Sequence, residues 1–125
     1  MARILVLAQE ECLVRLLEAD LQGMRHRARV LDDPRSAPLE AEYWRAELIL
    51  VDLDAPIDPL GLISMLRSNR MTEGTPIVGI TADESSDDVA QAWDLGINFV
   101  LTKPLNAGDL EDAVQRLLTL ESGAA

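Results

Sequence analysis

Aromatic residues make up only 3% of this 125-residue chain, which holds one cysteine and one histidine. Each scarcity excludes something. With so few rings, the interior must be packed by Leu, Ile, Val and Ala, which the 48% hydrophobic composition supplies. Cys12 has no cysteine partner within the chain, so an internal disulfide is excluded and an intracellular location is expected. His26 alone builds no histidine metal cage or Ser-His-Asp triad without other ligands beside it. No apolar run approaches the roughly 18–20 residues that cross a bilayer, so no membrane partner is expected. Met1-Ala2-Arg3 leads straight into an apolar run and lacks the form of a secretory signal, in keeping with a cytoplasmic protein.

Positive charge is also scarce. Eleven Lys and Arg stand against 22 Asp and Glu, a formal net charge of −11. That balance argues against direct nucleic-acid binding through a basic surface. The one basic segment, Arg25-His26-Arg27-Ala28-Arg29, is short and adjoins a predicted strand, which reads as a solvated face. The length suits one domain with a real core.

Apolar runs alternate with amphipathic helical patterns along the chain. The first run, residues 3–7, precedes a stripe of Leu13, Leu16, Leu17, Leu21 and Met24. A weaker strand around Ala28 to Leu31 precedes a stretch broken by Pro34 and Pro38, then a short helix around Leu39 to Trp44. Residues 48–52 are almost wholly apolar, as in a strand buried on both faces. Pro59 suits the first turn of a helix carrying Leu60, Ile63 and Leu66. After the fourth run, Ser85-Ser86 can cap a helix with Val89, Ala92 and Trp93, and Gly96 can end it. Trp93 is expected in the core. The fifth run, 98–102, leads to Asn106, a good cap for the last stripe from Leu110 to Leu118. Residues 1–120 are therefore read as one domain and 121–125 as a frayed tail or the start of a linker.

This alternation predicts an α/β fold: a doubly wound, five-stranded parallel sheet of order 2-1-3-4-5, flavodoxin-like, with right-handed crossovers. Ligands in such sheets bind at the carboxyl edge. Three polar residues fall there: Asp52 closes Leu48-Ile49-Leu50-Val51, Thr81 closes Ile77-Val78-Gly79-Ile80, and Lys103-Pro104 follows Phe99-Val100-Leu101-Thr102. An acceptor carboxylate, a hydroxyl donor and a fixed cation suit a phosphoryl group. Mg²⁺ would normally bridge protein carboxylates and phosphoryl oxygens at such a site.

These motifs make the chain resemble the receiver domains of bacterial two-component response regulators (the CheY-like family) from Arg3 to about Leu118. The strongest pieces are Leu50-Val51-Asp52 with Pro56 beyond it, Ile80-Thr81-Ala82, and Thr102-Lys103-Pro104-Leu105. The resemblance implies that Asp52 is the phosphoacceptor, Thr81 the switch hydroxyl and Lys103 the phosphate partner, with a cis Lys103-Pro104 peptide. It implies phosphorelay signal transduction with a histidine kinase or other signalling protein. It also implies a possible homodimer through the face of helix 4, strand 5 and helix 5. No enzyme is implied beyond Mg²⁺-dependent self-phosphorylation and dephosphorylation of Asp52.

Two departures accompany it. Family members end strand 1 with adjacent acidic residues that help hold Mg²⁺, whereas Ala8 and Gln9 stand here. Asp52, Asp54 and Glu10 remain as a weak metal set, so Mg²⁺ is possible but weakened. Asp54 and Asp83 either compensate for the lost carboxylates or serve as loop caps. The aromatic switch expected in strand 5 is Val100, with Phe99 on the opposite face. The reading favoured is an atypical pseudo-receiver acting as a protein-interaction module, and the alternative is a functional receiver phosphorylated on Asp52. A flavodoxin-type redox protein would need a Ser-, Thr- and Gly-rich loop after strand 1, where Ala8-Gln9-Glu10-Glu11 is found instead.

Overall fold

Strand and helix alternate along the whole chain, as the periodicity predicts. A computed structural model describes residues 1–31 and 33–122. The elements are β1 (Arg3–Leu7), α1 (Glu11–Gly23), β2 (Arg27–Leu31), a 3₁₀ turn (Pro34–Ser36), α2 (Ala37–Trp44), β3 (Leu48–Asp52), α3 (Pro59–Ser68), β4 (Ile77–Thr81), α4 (Asp87–Leu95), β5 (Phe99–Thr102) and α5 (Ala107–Ser122). The five strands form one sheet in the order β2-β1-β3-β4-β5, and every neighbouring pair is parallel. α5 continues through Ser122; the remainder of the tail expected at 121–125 lies outside the described residues.

The sheet is sandwiched between helices. Ile4, Val6, Leu48, Leu50, Val78 and Ile80 alternate onto one face, against Leu13, Leu17 and Leu21 of α1 and Leu110 and Val114 of α5. Leu5, Leu7, Ile49, Val51 and Ile77 face the other way, onto α2, α3 and α4. Both clusters are aliphatic, which is how a chain so poor in rings fills its interior. Each Leu or Ile fully buried there contributes roughly 1.5–3 kcal/mol of transfer free energy. β3 and β4 are buried along their whole lengths, whereas β2 at the sheet edge is half exposed.

Local signals fix the helix ends. Asp58 accepts from the Gly61 amide ahead of Pro59, and Ser86 accepts from the Val89 amide to start α4. Gly96 ends α4 at φ 107°, a left-handed conformation that favours glycine. Arg67 then ties two loops together. Its guanidinium donates to the carbonyls of Thr75 (2.7 Å) and Gly96 (3.0 Å) and to Asn98 Oδ1 (2.9 Å), which also accepts the Ile77 amide. The starts of β4 and β5 are thereby held in register, which fixes where Thr81 and Lys103 emerge.

Trp93 departs from expectation. Val89 and Ala92 are the buried residues of α4. Trp93 lies one residue further round the helix, so the residue is 47% exposed.

Candidate functional site

Parallel pairing brings the predicted trio to one edge. Asp52 is the last residue of β3 and Thr81 the last of β4, and both are almost wholly buried. Lys103 follows β5, where its amide donates to the Thr81 carbonyl (2.7 Å) and continues the ladder by one bond. The Lys103-Pro104 peptide is cis, as expected. These backbone constraints carry the lysine side chain back over the sheet edge, and its Nζ lies 3.0 Å from Asp52 Oδ1.

Asp54 joins the trio. Its Oδ1 accepts the Thr81 hydroxyl (2.9 Å), and its Oδ2 accepts the Ala82 amide (2.8 Å) and lies 3.2 Å from Lys103 Nζ. The turn that brings it there is short: the Asp54 amide donates to Asp52 Oδ1 (3.0 Å), reversing the chain just past β3. Glu10, more exposed, reaches Lys103 Nζ at 3.8 Å. One ammonium thus faces three carboxylates.

The charges respond accordingly. Burial alone would raise the Asp54 carboxyl, but the Ala82 amide, the Thr81 hydroxyl and Lys103 outweigh it and hold the group below the usual carboxylate value. Burial alone would lower the Lys103 ammonium, but Asp52 and then Asp54 hold it above the usual lysine value.

The remaining predicted residues take separate places. Asp83 caps a turn: its Oδ1 accepts the Ser85 amide (3.0 Å) and hydroxyl (2.7 Å), while its own amide donates to Thr81 Oγ1 (3.1 Å). Ala8 is buried, one residue past the Leu7–Val51 pair, and its methyl group belongs to the aliphatic cluster with Val6 and Leu50. Val100 packs against the cluster beneath α3 and α4. Phe99 is 41% exposed and lines a groove with Asp109, Asp112 and Arg116 of α5.

The carboxylates around Asp52 are drawn to Lys103, and Ala8 offers no side-chain ligand. Among the described residues no three His, Cys, Asp or Glu side chains group so as to hold a metal ion. Two contributors had no signature in the sequence. The Ala82 amide is a backbone donor that any residue would supply, and no motif in the sequence marks Arg67.

The fold and this edge define a receiver-type signalling domain. Residues 4–115 match the family described as the response regulator receiver domain, and the chain belongs to that family. It is 28% identical over 115 residues to the transcriptional regulatory protein KdpE of Staphylococcus aureus, covering 91% of this chain and 48% of that protein. It is 29% identical over 126 residues to the virulence transcriptional regulatory protein PhoP of Salmonella typhimurium, covering 100% of this chain and 55% of that one. The chain therefore spans about half the length of the curated relatives it matches. Among solved structures, the receiver domain of the sensor histidine kinase PA1611 of Pseudomonas aeruginosa, with magnesium in its active-site cleft, superposes with a TM-score of 0.86 at 24% identity, over 94% of this chain and 97% of that one. The Vibrio cholerae chemotaxis protein CheY4 gives 0.86 at 23% identity, over 94% and 98%. At these identities the structural matches speak for the fold.

Proposed function

We propose that this receiver domain is a protein-interaction module of two-component signalling that works without phosphoryl transfer to Asp52. The observation that carries the reading is Ala8, buried among apolar residues just past β1, at the position where a receiver built for Mg²⁺ needs a carboxylate. Transfer to an aspartate depends on neutralising the phosphoryl oxygens, and a lone lysine already shared among carboxylates supplies too little charge. The groove beside Thr81 adds to this: its lining includes Asp54, Asp58, Asp83 and Asp88 and no Lys or Arg.

In this reading the partner is a histidine kinase or another signalling protein in the cytoplasm. The surface offered is the α4–β5–α5 face, where Trp93 and Phe99 are exposed, and it also serves for pairing with a second copy. With Val100 in place of an aromatic switch, a shift of Thr81 has no ring to release, so recognition rests on the standing shape of that face. The retained Asp52–Lys103 contact favours one alternative, a phosphoacceptor domain working with Mg²⁺ supplied in excess.

Calorimetric titration of the free protein with Mg²⁺ separates the two. Our reading expects no saturable binding at millimolar Mg²⁺. Saturable binding that is lost in Asp52→Asn would overturn it.

A further inference from the structure

Three hydrogen-bond donors converge on one point at the sheet edge from three separate segments. The Thr81 hydroxyl comes from the end of β4, the Ala82 amide from the loop after it, and the Lys103 ammonium from beyond β5. An ammonium and a backbone amide can only donate, and here the hydroxyl also spends its hydrogen on the same group. Such a set is a cradle for an oxyanion. Its occupant is part of the chain: both oxygens of Asp54 are engaged, Oδ1 by Thr81 and Oδ2 by Ala82 and Lys103.

We propose that Asp54 is a built-in anion that fills this cradle and holds Thr81, Ala82 and Lys103 in the arrangement an external oxyanion would otherwise impose. This rests on the reading above and deepens it, because it adds the means by which the domain keeps one signalling shape. Asp54 hangs on the short turn fixed by the hydrogen bond its own amide donates to Asp52 Oδ1, so the carboxylate is tethered within reach at high local concentration. A dissolved anion must displace charge-assisted hydrogen bonds already made, and it enters a groove lined by Asp58, Asp83 and Asp88. The cradle is consequently closed to free anions in the native chain. It opens to small ones, carboxylates above all, when the Asp54 side chain is removed.

The test uses the Ala82 amide resonance of ¹⁵N-labelled protein as the reporter, with formate and inorganic phosphate as separate probes. In Asp54→Ala, formate should move that resonance saturably, with binding about tenfold or more tighter than any response of the native protein. Asp54→Asn keeps the side-chain volume and one acceptor oxygen, and it should show an altered Ala82 resonance that formate does not move. Phosphate acting on Asp54→Ala as formate does would extend the cradle to tetrahedral anions; formate alone would define it as a carboxylate site. An Asp54→Ala protein that is folded by circular dichroism yet answers neither anion overturns the proposal, as does a native protein that answers equally well. Phosphorylation of the native protein on Asp52 would refute the wider reading while leaving the Ala82 result to decide the cradle.

Discussion

Lys103 Nζ sits 3.0 Å from Asp52 Oδ1, and the Asp52 side chain is only 3% exposed. This ammonium is the cation that makes a buried carboxylate tolerable at the end of β3. Replacing Lys103 with Met leaves that charge without its counter-ion, and the expected cost is about 3 kcal/mol in urea denaturation. Asp52→Asn on the same background should recover a large part of it, because the two residues act as one pair. Purely additive losses would mean that the pair is not coupled.

Thr81 supplies the hydroxyl end of the cradle. Thr81→Val keeps the β-branched shape and removes the donor to Asp54, for an expected loss of about 0.5–1.5 kcal/mol by denaturant unfolding. Thr81→Ser retains the hydroxyl, so the Ala82 amide resonance should stay closer to native in Ser than in Val.

Gly79 lies in the middle of β4 beneath Leu53, the residue that follows Asp52. A Cβ at Gly79 would stand 2.7 Å from Leu53 Cδ1 and 3.3 Å from Ile97 Cδ1. Gly79→Ala should therefore cost about 1–3 kcal/mol by overpacking. Because it pushes on Leu53, it should also shift the amide resonances of Leu53 and Asp54, which a uniform loss of stability would not do.

His26 gives the fold a pH dependence of its own. Its Nδ1 accepts the Ala2 amide at 3.0 Å, which requires an unprotonated nitrogen. Burial, and then the chain-terminal ammonium, lower its pKa against a smaller opposing pull from Glu47. The unfolded chain therefore takes up the proton at higher pH than the folded one, so stability falls as the pH drops below the ordinary histidine value. Melting temperatures recorded from about pH 7.5 down to about pH 5.5 should decline more steeply for the native protein than for His26→Asn.

The strands that position the site were plain in the sequence because a doubly buried parallel strand must be apolar along its length. Leu48 to Val51 and Ile77 to Ile80 are such runs, and their polar ends mark the carboxyl edge. Asp52, Thr81 and Lys103 meet there because the strands align in register. The sequence alone marks Asp54 as a weak metal residue or a loop cap. Its place between Thr81, Ala82 and Lys103 depends on how a turn reverses after β3, and no periodicity encodes that. The same limit applied to Trp93: an aromatic next to an apolar stripe looks like core, yet one residue of rotation leaves it half exposed.

Intact-mass spectrometry of the native protein, incubated with acetyl phosphate and millimolar Mg²⁺, tests the central claim most directly. The account expects an unmodified chain. A stoichiometric gain of one phosphoryl group, mapped to Asp52 and absent in Asp52→Asn, would contradict it.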